Sequence, residues 1–150
     1  MALDLPSARD KKPAGFEIYS VVVADDDRTM AELLATNLRR LGHRVVGVGW
    51  NGKEAVDLVA KTRPDVLVMD IHMPILDGLQ AAREILTKHP LPIVMSTGMS
   101  DAVSLHNAVD LNLISYLVKP FSPAQLKVAI HLAVANFRAQ QPPEMIASAA

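Results

Sequence analysis

Apolar residues come in two rhythms along this chain, and the rhythms alternate. Ile18–Ala24 is a short run rich in β-branched side chains, the mark of a strand buried on both faces. Met30, Leu33, Leu34, Leu38 and Leu41 then recur at the three-and-four spacing of one helical face, and Gly42 offers a stop. Arg44–Val48 reads as a second strand. Lys53–Lys61 reads as a helix with Val56, Val59 and Ala60 on one side, ended by Pro64. Val66–Met69 is a third strand, and Leu79, Ala82, Ile85 and Leu86 mark the helix after it. Ile93–Ser96 is a fourth strand, followed by a weaker helical pattern from Ala102 to Asp110. Ser115–Val118 is a fifth strand ahead of Pro120, and Gln125–Phe137 is the last helix. Five strand-then-helix units predict an α/β fold: a doubly wound, five-stranded parallel sheet with helices on both faces.

The ends break the rhythm. Residues 1–16, with Pro6, Pro13 and Gly15, read as a flexible leader, and residues 140–150, with Pro142 and Pro143, as a disordered tail. Residues 17–139 then form one domain. A chain of 150 residues buries ~70% of its unfolded surface and needs no covalent staples. Half the residues are apolar but only 4% are aromatic, so the core is built from Val, Leu, Ile, Ala and Met. Lys and Arg number 15 against 16 Asp and Glu, for a net charge of −1. That balance carries no electrostatic footprint for direct nucleic-acid binding or for a basic membrane surface. There is no cysteine, which excludes disulfides, thiolate metal sites and thiol nucleophiles and fits a cytoplasmic location. No apolar run approaches the ~20 residues of a membrane span.

Open parallel sheets bind ligands beyond the carboxyl ends of their strands. Those ends read Asp25, Asp26 and Asp27 after the first strand, Asp70 after the third, Thr97 after the fourth and Lys119 after the fifth. Clustered carboxylates repel, and a hard divalent cation with oxygen ligands relieves them; Mg²⁺ is the usual choice beside phosphate. Lys119 supplies a compact cation and Thr97 a hydroxyl donor for phosphate oxygens. Asp70, at the end of an apolar run, can serve as a carboxylate nucleophile in phosphoryl transfer. Taken singly the residues are ordinary: Asp27 suits a helix N-cap, Thr97 a turn, and Lys119 a solvated loop charge. Their joint placement at successive strand ends carries the functional reading.

As an ordered set these motifs resemble the receiver domain of two-component response regulators. The matching pieces are Val21-Val22-Val23-Ala24-Asp25-Asp26-Asp27, Asn51-Gly52-Lys53-Glu54-Ala55, Asp65 through Gly78 with Met73-Pro74 and Asp77-Gly78, Pro92 through Gly98, and Tyr116-Leu117-Val118-Lys119-Pro120-Phe121. The resemblance covers about residues 18 to 138 and implies a flavodoxin-like (βα)5 fold. It implies that Asp70 accepts a phosphoryl group from a sensor histidine kinase or a histidine phosphotransfer protein. Asp25, Asp26, the Asp70 carboxylate and the His72 backbone carbonyl would hold Mg²⁺ or Mn²⁺. Thr97 and Lys119 would contact the phosphate, Thr97 and Tyr116 would form the switch, and Lys119-Pro120 would be cis. The protein would be a phospho-accepting signalling protein rather than a turnover enzyme. Neither His72 nor Met99, which border the phosphate in this family, suits the orientation of an attacking water, so the phosphoryl group is expected to be fairly long-lived.

Asn112-Leu113 stand where the family usually has Gly-Ala, and Leu113 adds apolar bulk to a surface receivers use for output. In the last helix Leu126, Ala129, Ile130, Ala133 and Phe137 make one stripe, and Val128, Leu132 and Ala135 make a second. A surface helix needs only one. Leu113, Val128 and Leu132 are therefore candidates for a partner surface, either for a homodimer or for a downstream protein. Only about a dozen residues follow that helix, too few for an output domain, so output is expected through protein contact unless the chain is a fragment of a longer regulator. A haloacid-dehalogenase-like phosphatase with Asp25 as nucleophile and Asp27 as acid/base is a rival, but its acidic pair beyond the lysine is missing: only Glu144 follows Lys119. Gly47-Val48-Gly49-Trp50-Asn51-Gly52 matches a dinucleotide fingerprint, yet Trp50 is bulky where a pyrophosphate must approach. A module that keeps the fold without the chemistry is disfavoured by the intact acidic, Thr and Lys set. His43, His89, His106 and His131 read as surface or helix-flank residues, and Met69, Met73 and Met95 as packing.

Overall fold

The computed structural model describes residues 17–98, 101 and 114–141. Five strands form one sheet: β1 (Ser20–Ala24), β2 (Arg44–Gly49), β3 (Val66–Asp70), β4 (Ile93–Thr97) and β5 (Ile114–Val118). All pairings are parallel, in the order β2-β1-β3-β4-β5. Four helices are described: α1 (Arg28–Arg40), α2 (Gly52–Thr62), α3 (Gly78–Lys88) and α4 (Pro123–Ala139). The helix expected over Ala102 to Asp110, Leu113, Met99, the leader and the tail beyond residue 141 lie outside the described residues.

The order of strands places the site. The chain leaves β1 toward β2 on one side and returns to β3 on the other, so the strand order reverses between β1 and β3, where a crevice opens. Asp25 and Asp70 end those two strands. Burial follows position: every residue of β3 and β4 is buried, whereas the edge strand β2 exposes Arg44 and Val46. Alternating side chains feed two cores. Val22, Leu67, Met69, Ile93 and Met95 meet Ala55 and Val59 of α2 and Ala81, Ala82 and Ile85 of α3. Val21, Val23, Val66, Val68 and Val94 meet Ala31, Leu34 and Leu38 of α1 and Leu126, Ile130 and Ala133 of α4. Each fully buried Leu or Ile here contributes about 1.5–3 kcal/mol.

The differences from the sequence reading lie mostly at element boundaries. β1 begins at Ser20, not Ile18, because the Tyr19 N–H donates to His43 Nδ1 at 3.1 Å instead of joining a ladder. β2 runs on to Gly49, and a Cβ at Gly47 would sit 2.9 Å from Leu58 Cδ2, so this glycine admits an α2 side chain rather than a pyrophosphate. α2 stops at Thr62 on a left-handed Arg63 (φ 46°), ahead of Pro64. α4 starts two residues early, with Pro123 at its first turn and a reciprocal Ser122–Gln125 capping box. His43 corrects the surface reading: it is 4% exposed, stacked on Tyr19 at 5.4 Å between ring centroids. It stands between Gly42 and Arg44, outside either apolar rhythm, so periodicity gave no hint of the burial. Met69, Met73 and Met95 are buried as read.

Candidate functional site

Main-chain bonds set the carboxylates. Asp25 N–H donates to Gly49 O at 3.0 Å, tying the end of β1 to the end of β2. Asp25 Oδ1 accepts from Asp27 N–H at 2.9 Å, and Asp27 caps α1 by accepting from Met30 N–H at 3.2 Å. The cap role read for Asp27 therefore holds, which leaves Asp25 and Asp26 for chemistry. Beyond β3, Ile71 N–H donates to Ser96 O and Gly78 N–H to Ile71 O, at 3.2 and 2.8 Å. Gly78 is required there: a Cβ would fall 2.5 Å from Asp70 O and 2.8 Å from Ile71 Cα. Asp77 and Gln80 close a capping box on α3 in the same turn. Ile75, 77% exposed, takes φ 71°, a left-handed conformation unusual for a β-branched residue, within the loop that follows Asp70.

Strand alternation turns Asp25, Asp70 and Lys119 to the sheet face that carries α1 and α4. Carboxylate oxygens of Asp25, Asp26 and Asp70 lie within 4.8 Å of one another. Lys119 Nζ reaches across β4 to donate to Asp70 Oδ1 at 2.8 Å and sits 3.6 Å from Asp25 Oδ2. Asp25 is 1% exposed, Asp70 7% and Thr97 1%, while Asp26 is exposed. Burial pushes the Asp25 pKa up, the nearby Asp70 and Asp26 charges push the same way, and the Asp27 N–H and Lys119 oppose them. Burial works against the Lys119 ammonium, but its hydrogen bond to Asp70 and the charges of Asp70 and Asp25 outweigh it and raise its pKa. Asp25 Oδ2 is buried without a hydrogen-bond partner among the described residues. An orphaned carboxylate oxygen among hard oxygen donors, with one ammonium to balance three acids, fits a divalent cation such as Mg²⁺.

Thr97 ends β4 and pairs with Val118; among the described residues its hydroxyl donates to Gly98 O at a long 3.3 Å. Tyr116 is two residues before Val118, so it shares the sheet face of Thr97, and it is half-buried against the α2–α3 core. The two switch candidates thus lie on one face, opposite that of the carboxylates. Lys119-Pro120 is cis. The His72 imidazole turns to Asp101, Nε2 to Oδ2 at 2.9 Å. Arg28 lies over the Trp50 ring at 4.5 Å, just past the end of β2. Neither contact was legible beforehand, since each joins residues on different loops with no spacing signal. In α4, Leu126, Ala129, Ile130, Ala133 and also Val134 are buried, and Val128 and Leu132 are 56% and 54% exposed. These two line an open groove of about 460 Å³ with Tyr116, Leu117 and Val118. Among the described residues, no helix is long and apolar enough to cross a membrane.

Comparison with known proteins agrees with this geometry. Residues 21–131 match the family model described as the response regulator receiver domain. The transcriptional regulatory protein PdtaR of Mycobacterium tuberculosis is 42% identical over 118 residues, covering 79% of this chain and 58% of that protein. A protein-glutamate methylesterase/protein-glutamine glutaminase of Hahella chejuensis is 39% identical over 107 residues, covering 69% of this chain but only 31% of its own length. The chain therefore spans little more than half of PdtaR, and a smaller part of the esterase. Among solved structures, the signal receiver domain of a modulated diguanylate cyclase from Desulfovibrio desulfuricans superposes with a TM-score of 0.74 at 31% identity, covering 83% of this chain and all of that one. The response regulator PhyR from Brucella abortus gives 0.72 at 25% identity, covering 83% of this chain and 51% of its own. With its sheet order, its acidic crevice and these relatives in agreement, the chain belongs to the response regulator receiver family.

Proposed function

We propose that Asp70 is the phospho-acceptor of this receiver and that residues 17–139 suffice for the reaction. The observation that carries the assignment is the position of its carboxylate, bonded to Lys119 and grouped with Asp25 and Asp26 at the reversal of strand order. An Asp70 carboxylate oxygen attacks the phosphorus of a phosphohistidine on a kinase or phosphotransfer protein. The P–N bond breaks and the imidazole leaves as it takes up a proton. Asp25, Asp26, Asp70 and the His72 carbonyl would hold the Mg²⁺ or Mn²⁺, which when bound neutralises charge between acids and phosphoryl group. Lys119 exchanges its carboxylate partner for a phosphoryl oxygen. The loosely bonded Thr97 hydroxyl is free to turn toward another, and Tyr116, on the same face, follows.

The added charge favours one arrangement of Thr97 and Tyr116 over the other, and the population shift is read by a protein partner. The groove beside Val128 and Leu132 contains Tyr116, which supports this face as the one that changes. The phosphatase reading loses ground: Asp27 is occupied as a helix cap, and Asp25 is the more deeply buried carboxylate. The test is incubation with a small phosphodonor and Mg²⁺, followed by intact mass. Asp70→Asn should abolish the 80-dalton adduct (roughly the mass of one phosphoryl group, HPO₃), and undiminished labelling, or labelling at Asp25, would overturn the assignment.

A further inference from the structure

At the opposite pole of the sheet from Asp70, a second cluster of titratable groups joins three elements. Tyr19, in the segment leading into β1, stacks on His43 just before β2. His131 of α4 sets its ring edge-on to both, 5.8 Å from Tyr19 and 6.3 Å from His43 between centroids. His43 Nδ1 accepts the Tyr19 N–H, so its proton is on Nε2, and that atom is buried with no hydrogen-bond partner among the described residues. Two residues earlier, Glu17 is bonded by Arg138 of α4 through both its oxygens, at 3.1 and 3.3 Å. Tyr19 O accepts Arg44 N–H at 2.9 Å, and Asp65 holds Ser20 N–H at 2.8 Å. The segment 17–20 is therefore stitched to α4, β2 and the start of β3, and the His43 ring is the imidazole that accepts in that stitching, an acceptor that a proton turns into a donor.

The geometry points to a proton-operated clasp: protonation of His43 removes the acceptor for the Tyr19 N–H and releases Tyr19 from the turn before β2. A proton on Nδ1 would face the Tyr19 N–H donor to donor. The resulting cation would also be buried, with His131 beside it and no carboxylate bonded to it among the described residues. The groups around His43 are the Tyr19 phenol, His131 and the Glu17–Arg138 pair from the packed elements, and Arg39, Arg40 and Arg44 from its own flanks. Burial, and then the charge of His131, lower the His43 pKa below its ordinary 6.5. The sign is fixed by that direction. The closed form is favoured fully above about pH 6.5, and as pH falls from there toward the depressed value, the open form gains about tenfold per pH unit. Nothing in the clasp touches Asp70, so the device stands or falls apart from the phosphorylation reading.

The test is nuclear magnetic resonance of the full chain between pH 5 and 7.5, following the His43 ring and the Tyr19 amide. The expected result is a depressed His43 midpoint and a Tyr19 protection factor, corrected for intrinsic exchange, that falls about tenfold per unit below pH 6.5. His131→Gln removes the neighbouring positive charge and should raise the His43 midpoint, so the window below pH 6.5 over which Tyr19 protection falls narrows and the total loss shrinks. His43→Phe keeps the ring but should make Tyr19 protection independent of pH. If that variant fails to fold, the first two measurements decide. A His43 midpoint near the ordinary value, or titration that leaves the Tyr19 amide protected, overturns the clasp.

Discussion

Asp25 buries a carboxylate with one oxygen bonded to a main-chain N–H and the other 3.6 Å from Lys119 Nζ, beyond hydrogen-bond reach, with no other donor among the described residues. Burial and two neighbouring acids raise its pKa from the ordinary 3.8, so the folded chain binds this proton more tightly than the unfolded chain does. The group's contribution to stability is then greatest below pH 3.8 and declines as pH rises through the window up to the raised value. Mg²⁺ should flatten that decline, because it stabilises the ionised form. Asp25→Asn keeps an oxygen for the Asp27 N–H and removes the charge. It should raise metal-free stability by about 1 kcal/mol, the scale of one under-satisfied buried group, while abolishing the shift in urea midpoint on adding Mg²⁺. A variant less stable than the parent without metal would contradict this account. Most of these residues were legible in the sequence because each ends an apolar run, where a charge is conspicuous. His43 was not, since a lone histidine between Gly42 and Arg44 looks like surface.

Between elements, the site depends on how closely α3 begins beside the end of β3. Gly78 makes that approach, and Gly52 makes a comparable one where a Cβ would collide with the Leu76 carbonyl. Gly78→Ala should cost about 1–3 kcal/mol by denaturant titration, the range for overfilling a packed contact, and should slow labelling of Asp70 by shifting its main chain. Equal stability and rate in the variant would show that the turn relaxes freely. Sequence periodicity located all five strands and the four described helices, because their apolar faces are regular. It misplaced the ends, because those are set by individual bonds: Tyr19 to His43 before β1, left-handed Arg63 after α2, and the Ser122–Gln125 box before α4. The capping box at Ser122 was in principle readable, as Ser-Pro-Ala-Gln has the required spacing.

For the whole molecule, strand order does what no single motif can: it brings together residues as far apart in the chain as Asp25 and Lys119. The alternation of strands and helices predicted that convergence, but not the face on which each side chain would fall, nor the cross-loop pairs His72–Asp101 and Arg28–Trp50. The exposed side of α4 belongs to this scale as well. Leu132→Lys should leave Asp70 labelling unchanged and weaken phosphorylation-dependent association, measured by sedimentation or by partner binding; equal association would remove this face from the output.

The chain has a single tryptophan, and its ring sits under the Arg28 cation beside the main-chain bond that ties Asp25 to Gly49. Any change in charge among the acids alters the field across that indole. Should a cation or a phosphoryl group reach those acids, ultraviolet-excited emission from the unlabelled protein is expected to change in real time, one indole serving as the optical gauge of the crevice; unchanged emission during labelling would show that the ring lies outside their field.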